Sequence, residues 1–341
     1  MLLSIIIPTY NVEGYLNKCL SSIIISETRL LEQLEVLIVI DGATDRSLQI
    51  AQEFHNQYPK LFSVISKKNG NYGSCINAAL PLATGKYVKV LDADDFFDSS
   101  SFEQYLKELE TLDVDLVLNY MTIVDPEYRK TSEWRTTVKE RCTISFEEFA
   151  PSFQSFFIHH FAYRRSLLLD INYCQTEGIS YSDNEWVAKP MVAVNSVYFI
   201  PQPFYCYLRG REDQTISRKS KSKSFHSLAT MMMSLGKIWS EYEGDSVRKN
   251  CLYNLFVKQL QYAYNEFFVS HFYSYNEFRE FDRKVTSLYP VIKEDPRLVI
   301  KYRSFPIVSF WRADIPVITP LLLYLHSVQL ELRLKMRRQR K

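Results

Sequence analysis

Apolar and polar positions follow two different periods over roughly the first 120 residues of the chain. Largely apolar stretches of strand length occur at residues 2–7, 34–40, 62–65 and 86–91. The segments between them repeat apolar residues at helical spacing, as from Val12 to Ile23. This alternation of strands and helices predicts an α/β fold, with a mostly parallel sheet and helices on both of its faces.

The second half of the chain has a different pattern. From about residue 120 to 205 the periodicity loosens into short strands and helices, as expected of a region packed on the first sheet. Residues 218–224 (RKSKSKS) have the basic, serine-rich composition of a linker. Beyond Phe225 the sequence is rich in aromatic residues and helical in period. We therefore expect an α/β domain over residues 1–217 and a mainly α-helical C-terminal region over residues 225–341.

The last predicted element is an amphipathic helix that begins at Thr319-Pro320, a cap followed by proline at the first helical position. One face of this helix is apolar and carries Leu321, Leu325, Val328, Leu332 and Met336. Its end is cationic and carries Arg333, Lys335, Arg337, Arg338, Arg340 and Lys341. Such a helix could pack on the preceding helices, dock on a second subunit or bind an anionic membrane surface. We favour the membrane surface, because packing explains the leucines but not the cluster of basic residues.

Composition excludes several classes of protein. The 341 residues are 46% hydrophobic and 23% charged, as in ordinary globular chains, and the net charge of +2 gives no argument for nucleic-acid binding. The six cysteines form no CxxC pair, which favours reduced thiols in a cytoplasmic protein. Residues 1–8 lack a basic leader, and no apolar stretch reaches the ~20 residues that span a bilayer. We therefore expect a cytoplasmic protein without a signal peptide.

The strongest candidate for chemistry is the run Asp92-Ala93-Asp94-Asp95 at the end of the fourth predicted strand. Carboxylates clustered there repel one another unless a positive group binds, and ligands of open α/β sheets bind at the carboxyl edge of the strands. A divalent cation together with a phosphate-bearing substrate would explain the cluster. The alternative is that Asp94 or Asp95 caps the helix predicted near Ser99, while Asp92 is a solvated loop residue.

Other predicted strands end in groups that suit a nucleotide. Thr9, Tyr10 and Asn11 after the first strand offer a hydroxyl, an aromatic face and an amide. Asp41 after the second strand could accept a hydrogen bond from a base N–H such as that of uracil. The glycine-rich turn at residues 69–73 would let backbone approach a ligand closely. Each group is also a common turn residue, but their occurrence at successive strand ends indicates one binding site.

Three stretches resemble the family-2 glycosyltransferases with the GT-A fold: SIIIPTYNVEGYLNKCLSSI, VLIVIDGATDRS and NGNYGSCINAALPLATGKYVKVLDADD. The resemblance covers residues 1 to about 215 and implies a Rossmann-like catalytic domain. It implies a nucleotide-sugar site that includes Pro8, Thr9, Tyr10, Asn11, Asp41, Asn71, Gly73, Asn77, Asp92 and Ala93. It also implies a DxD motif, in which Asp92 lies near the ribose and Asp94, helped by Asp92, holds a divalent metal, Mn²⁺ or Mg²⁺. Asp95 would support this motif or cap the next helix.

One departure from the family pattern concerns charge. Many relatives have ARN where this chain has CIN at residues 75–77, so a nucleotide-side arginine is missing. Lys67 or Lys68 could replace it, or the metal could hold the diphosphate alone. The segment YLRGREDQTIS resembles the flexible loop that closes over the diphosphate, which makes Arg209 and Arg211 further candidates.

Transfer to a hydroxyl needs a base, since the acceptor loses its proton as it attacks the sugar. The segment EGISYSDNEW resembles the acidic region of the family, and we expect Asp183 to be the general base, with Glu185 as its competitor. Both could instead be carboxylates favoured at the start of a helix. On the acceptor side we place His160, Trp186 and Glu185, although Trp186 is as well explained as a core anchor. We assign no metal to the pair His159-His160.

The resemblance implies an inverting enzyme that moves a hexosyl or N-acetylhexosaminyl group from a UDP-sugar to a hydroxyl of a glycan or lipid-linked acceptor. It suggests a role in cell-surface polysaccharide synthesis on the inner face of the membrane. We expect no nucleic-acid partner, and the sequence does not determine the oligomeric state. One alternative is a sugar-nucleotidyltransferase, but residues 8–11 are not the glycine-rich, basic triphosphate loop that such an enzyme needs. The other is a non-catalytic nucleotide- or glycan-binding module. The complete DAD motif together with Asp183 argues against that module.

Overall fold

The computed structural model describes residues 1–136, 138–210, 225–270, 275–298, 301–302 and 305–313, together with Tyr324 and Val328. The chain divides into two compact units. The first unit contains Met1–Ser217 and Tyr242–Cys251, and the second contains Arg218–Glu241 and Leu252–Lys341. Apart from Tyr324 and Val328, which are exposed, the predicted amphipathic tail lies outside the described residues.

Four parallel strands form one half of the sheet in the first unit: β1 (Leu3–Thr9), β2 (Leu34–Asp41), β3 (Phe62–Lys67) and β4 (Tyr87–Val90). Their spatial order is β3-β2-β1-β4. Strands β1, β2 and β4 are buried almost throughout, which is why the sequence shows apolar stretches there rather than strict alternation. The helices between them are α1 (Glu13–Ser21), α2 (Thr28–Leu31), α3 (Ser47–Gln57) and α4 (Asn71–Ala79). The predicted alternation of strands and helices is confirmed.

The other half of the sheet is mixed in direction. It contains β5 (Phe96–Phe97), β6 (Leu116–Val124), β7 (Lys130–Trp134), β8 (Thr143–Ser145), β9 (Phe161–Arg164) and β10 (Ser196–Leu208). Strand β9 runs antiparallel to both β4 and β6, while β10 runs parallel to β6. The loose sequence pattern hides the 13-residue strand β10, because its register shifts between Ile200 and Tyr205 and two prolines interrupt the apolar residues there.

Helix α5 (Ser99–Leu109) packs on the sheet through buried side chains, and the rings of Tyr105 and Phe204 lie 4.4 Å apart. Asp98 caps this helix, because its carboxylate accepts a hydrogen bond from the Ser101 N–H at 2.9 Å. The acidic run at residues 92–95 is therefore not the helix cap, which corrects that alternative. The remaining helices of the first unit are α6 (Phe146–Phe149), α7 (Arg165–Asp170) and α8 (Asp183–Ala188). All six cysteines of the chain lie in described segments and are free thiols.

The second unit is mainly helical, as predicted. It contains α9 (Phe225–Glu241), most of α10 (Ser246–Ser270), α11 (Tyr275–Leu288) and α12 (Ile307–Ala313), with the antiparallel pair β11 (Lys301–Tyr302) and β12 (Phe305–Pro306). Aromatic rings form much of its core, and those of Phe267 and Phe278 stack at 4.0 Å. A Cβ at Gly236 would lie 2.6 Å from the ring of Tyr289, so glycine permits that close packing. Among the helices that the structure describes, none has both the length and the apolar character to cross a membrane.

Candidate active site

A cleft of about 550 Å³ lies at the carboxyl ends of strands β1, β2 and β4. Because these strands are parallel, the segments that follow them meet at one edge of the sheet. Most of the residues predicted for donor binding, metal binding or proton transfer line this cleft: Pro8, Thr9, Tyr10, Asn11, Asp41, Asn71, Asp92, Ala93, Asp94 and Asp183.

The segment after β1 combines two anchored residues with one exposed ring. Thr9 is buried and its hydroxyl donates to the carbonyl of Ile7 at 3.0 Å. Asn11 has a φ of 49° and accepts a hydrogen bond from the backbone N–H of Thr44 at 2.8 Å, which ties the loops after β1 and β2 together. Tyr10 is 51% exposed, so its ring offers an aromatic face on the wall of the cleft.

Asp41 is buried at the end of β2 and is held in a fixed orientation. Its Oδ1 accepts from the Lys67 ammonium at 2.7 Å and from the Gly70 N–H at 2.9 Å. The side chain of Asn69 donates to the Asp41 carbonyl at 2.9 Å. A carboxylate can accept about four hydrogen bonds, so Asp41 keeps capacity for a ligand N–H. Lys67, one of the cations considered for the diphosphate, is instead the ion-pair partner of Asp41.

The glycine-rich turn contributes Asn69, Asn71 (at a φ of 64°) and Tyr72 to the cleft. Gly73, the last residue of the turn, and Asn77 of α4 are not among the residues that line the cleft. A Cβ at Gly73 would lie 2.2 Å from the carbonyl oxygen of Thr176, so this glycine permits contact between two protein segments. Asn77 accepts from the Gln175 N–H and donates to its carbonyl, both at 2.8 Å. Both residues therefore hold the loop at residues 175–177 against α4 and do not line the predicted donor site.

The acidic run places two carboxylates on the cleft and one beneath it. Asp92 accepts a hydrogen bond from the Tyr72 hydroxyl at 2.9 Å, while burial and the neighbouring charge of Asp94 raise its pKa to about 7. Asp95 is buried and accepts from the Tyr205 hydroxyl and the Leu208 N–H, each at 2.8 Å. Burial and Asp94 raise the pKa of Asp95 well above its usual value. Asp95 therefore anchors the loop that carries Asp92 and Asp94.

The same region could hold a divalent cation. Asp92, Asp95 and His159 each present a ligand atom within 4.8 Å of the others. The raised pKa of Asp92 shows that negative charge is disfavoured there, which a bound cation would reverse. Carboxylate ligands suit Mg²⁺ and Mn²⁺, while an imidazole ligand is more usual for other transition-metal ions, so this set does not select one cation. Both oxygens of Asp95 already accept protein hydrogen bonds, whereas Asp92, Asp94 and His159 line the cleft. Asp94 is not one of the three residues that present these converging ligand atoms, so its role as the main metal ligand stays a prediction.

Asp183 and Glu185 occupy opposite environments at the start of α8. Asp183 lines the cleft, and burial raises the pKa of its carboxyl, which is the direction a general base requires. Glu185 is fully buried and accepts from the N–H and hydroxyl of Thr176 at 2.6 and 2.7 Å. It also pairs with Lys189 at 3.0 Å. Glu185 is therefore not exposed to an acceptor, contrary to the acceptor-side prediction.

The other two acceptor-side predictions also fall in the core. Trp186 is fully buried and packs edge-on against Tyr163 and Tyr173, which matches the core-anchor alternative. His160 is fully buried, and its Nδ1 lies 2.8 Å from the carbonyl of Asn119. These two side chains lie outside the cleft wall, because each is enclosed by protein on all sides.

His159, to which the sequence analysis gave no role, is the histidine that lines the cleft. Its ring packs on Tyr205 and Tyr207 at 4.8 Å each, and its Nδ1 lies 3.8 Å from Asp92 Oδ2. Further cleft residues missed by the sequence analysis are Asn69, Tyr72, Ile179, Ser180, Tyr181 and Tyr207. Asn69 and Tyr72 lie in the glycine-rich turn, and that turn is the sequence feature that could have identified them as cleft residues. Ile179, Ser180 and Tyr181 come from a loop without a periodic pattern, and Tyr207 lies near the end of β10, the strand that the sequence analysis missed.

The two arginines predicted for the diphosphate are not among the residues that line the cleft. Arg209 is exposed directly after β10, and its N–H donates to the carbonyl of Val124 at 2.9 Å. Arg211 lies outside the described residues. A role for either arginine in binding the diphosphate stays a prediction.

Comparison with known proteins identifies the first unit. Residues 4–171 match the model of glycosyl transferase family 2. The uncharacterized glycosyltransferase EpsJ of Bacillus subtilis is 27% identical over 191 residues, which is 54% of this chain and 54% of EpsJ. The chondroitin synthase of Escherichia coli is 38% identical over 121 residues, or 36% of this chain and 17% of that protein. The matched regions thus span about half or less of these relatives.

Solved structures show the same fold at low sequence identity. S. aureus TarS 1–349 in complex with UDP-GlcNAc has a TM-score of 0.62 and 19% identity, covering 84% of this chain and 80% of that one. The mannosyltransferase PcManGT of Pyrobaculum calidifontis, in complex with GDP-Man and Mn²⁺, has a TM-score of 0.51 and 14% identity, covering 96% and 86%. Residues 4–171 therefore belong to glycosyl transferase family 2, and the structure has the GT-A fold.

Proposed function

We propose that this member of glycosyl transferase family 2 is an inverting, metal-dependent glycosyltransferase that uses a nucleotide-sugar donor and a hydroxyl acceptor. The observation that carries the proposal is the composition of the cleft wall. It contains Asp92 and Asp94, which could bind a cation, Asp183, which could accept a proton, and Tyr10 and Asp41, which could bind the nucleobase of the donor. Each of these groups meets one requirement of sugar transfer from a nucleotide diphosphate.

In the proposed reaction Asp183 accepts the proton of the acceptor hydroxyl. The acceptor oxygen forms a bond to the anomeric carbon as the bond from that carbon to the diphosphate oxygen breaks, and the nucleoside diphosphate leaves with the electron pair. A divalent cation, held by Asp92 and Asp94 with His159 beside them, would neutralise the charge of that leaving group. Asp95 keeps the acidic loop in place through its hydrogen bonds to Tyr205 and Leu208.

For the donor we propose a UDP-sugar carrying a hexosyl or N-acetylhexosaminyl group. Asp41 can accept a hydrogen bond from the N3–H of uracil, and the exposed ring of Tyr10 can stack on a base. TarS, of similar fold, was solved with UDP-GlcNAc, while PcManGT was solved with GDP-Man. The fold therefore accommodates both nucleotides, and the preference for uridine depends on Asp41.

We propose that the protein acts in the synthesis of a cell-surface polysaccharide and that its acceptor is a glycan or a lipid-linked glycan. We place this activity in the cytoplasm, at the inner face of the membrane. The chondroitin synthase similarity supports a glycan acceptor. Binding of the tail to an anionic membrane surface belongs to this proposal and concerns residues beyond those described.

The deciding experiment measures release of nucleoside diphosphate from a panel of UDP- and GDP-sugars by the purified chain, with Mn²⁺ or with excess chelator. Asp183→Asn is expected to lose turnover by roughly 10²–10⁴-fold while UDP binding persists. Asp170→Asn, an exposed carboxylate at the end of α7, is the matched control and should keep activity. Release that is independent of metal, or unaffected by Asp183→Asn, would contradict the mechanism.

A further inference from the structure

The helical unit contains a small pocket that the proposed reaction does not use. It has a volume of about 200 Å³ and is bordered by Arg279, Arg283, Lys293 and Arg312, with Asp282 at its base. We propose that this basic pocket binds a phosphate group carried by a ligand other than the nucleotide donor. The proposal does not depend on the transferase activity.

The basic pocket is built by three segments of the chain. Arg279 and Arg283 lie one turn apart on α11, so their side chains extend along the same face of the helix. Lys293 ends the short turn Pro290–Lys293 that follows α11, and Arg312 comes from α12. Positive side chains from separate segments therefore line one pocket.

Among the described residues that line the basic pocket, the one carboxylate is that of Asp282, and its charge is already neutralised. Asp282 is 4% exposed and accepts from Arg312 Nη2 at 2.8 Å and from Arg312 Nε at 3.2 Å. The hydroxyl of Tyr264 also donates to Asp282. This pairing fixes the guanidinium of Arg312 at the base of the basic pocket. Within the part of the chain that the structure describes, Arg283 and Lys293 have no carboxylate partner.

The size and donors of the basic pocket suit a phosphate group. Its volume is below the roughly 300 Å³ typical of pockets that enclose whole small molecules, so it suits one phosphate group and not a complete nucleotide. Guanidinium groups bind phosphate through two parallel hydrogen bonds, and several cations match its double negative charge. The hydroxyl proton of Thr286 is used on the Asp282 carbonyl at 2.6 Å, so recognition depends on the basic side chains.

The first test titrates the full chain with inorganic pyrophosphate by calorimetry at low salt, in the presence of chelator so that the acidic cleft holds no cation. We expect binding that weakens about 25-fold in the double variant Arg283→Gln, Lys293→Gln, because each charge contributes roughly fivefold at close range in water. Both side chains are exposed, so the variant should fold, which a melting curve checks. Lys284→Gln is the matched control, since Lys284 is an exposed cation of α11 outside the basic pocket.

The second test separates two sources of the phosphate. Full-length protein and variants are sedimented with phosphatidylcholine vesicles that contain or lack phosphatidic acid. Selective loss of vesicle binding in the double variant assigns the phosphate to a lipid headgroup, while an effect on pyrophosphate alone assigns it to a soluble phosphate ester. Binding of UDP with Mn²⁺ should be unchanged in the double variant, which keeps this test separate from the donor site. If the double variant equals Lys284→Gln with both probes, or if neither probe binds the unmodified chain, the proposal is overturned.

Discussion

The two carboxylates at the start of α8 allow catalysis and stability to be separated by substitution. Asp183 lines the cleft, whereas Glu185 is fully buried and holds Thr176 and Lys189. We predict that Asp183→Asn lowers turnover but leaves stability nearly unchanged. Substitution of Glu185 should do the reverse, lowering stability while leaving the chemistry of correctly folded molecules intact.

The size of the stability loss follows from the partners of Glu185. Glu185→Ala leaves the N–H and hydroxyl of the half-buried Thr176 without their acceptor at the fully buried position 185, and a polar group shielded from water without a partner costs about 1–3 kcal/mol. We expect a loss of about 3 kcal/mol for this variant. In Glu185→Gln the amide can still pair with Thr176 and Lys189, so only the charge assistance of these bonds is lost, about 1 kcal/mol. The series Ala, Gln, wild type should therefore show graded stability.

The assay combines thermal melting with donor turnover per folded molecule. A change of 1 kcal/mol moves the melting temperature by roughly 2–4 °C in a domain of about this size, so Glu185→Ala should melt about 6–12 °C lower and Glu185→Gln about 2–4 °C lower. Turnover below the melting range should stay within a small factor of wild type for both. If Glu185→Gln abolished turnover with an unchanged melting temperature, Glu185 would be the base and our placement of Asp183 would be refuted.

Four further predictions concern the metal, the nucleotide, pH and the tail. Asp94→Asn should remove metal-dependent turnover without unfolding the chain, and turnover that survives both this change and excess chelator would exclude the metal role. Asp41→Ala should reduce the preference for UDP over GDP by about 1.5–3 kcal/mol in calorimetry, and equal binding of both nucleotides to the unmodified chain would contradict the uridine assignment. The pKa of Asp92 is raised to about 7, so protons compete with the cation for this carboxylate below that pH. The affinity for Mn²⁺ should therefore fall roughly tenfold from about pH 8 to pH 6. An affinity that does not change with pH would show that Asp92 is not a ligand. A chain ending at Ile318 should still hydrolyse the donor but no longer sediment with anionic vesicles. In the full-length chain, salt should weaken the attraction between the basic tail and these vesicles. If truncation unfolds the protein, the tail is a packing element.

The sequence by itself determined the buried strands of the sheet and the position of the binding cleft, because both depend on patterns within single segments of the chain. A strand covered on both faces requires a run of apolar residues, so β1, β2 and β4 were predictable from their own segments. Parallel strands place their carboxyl ends at one edge of the sheet. For that reason the groups that follow separate strands, such as Tyr10, Asp41 and Asp92, could be assigned to one site from the sequence alone. The long strand β10 was missed because its register shift breaks the period on which such inference depends.

Only the tertiary structure decided which of two neighbouring residues faces the cleft. Asp183 and Glu185 are two positions apart on a helix, so they point in nearly opposite directions, and the sequence does not say which direction is the core. His159 and His160 are consecutive residues of the short 3₁₀ helix Ile158–His160, where successive side chains diverge by about a third of a turn. In each pair one side chain meets the ligand cleft and the other meets buried partners. That choice is made by residues outside each short helix, namely Thr176 in the preceding loop and Asn119 in strand β6, because they supply the contacts that orient each helix.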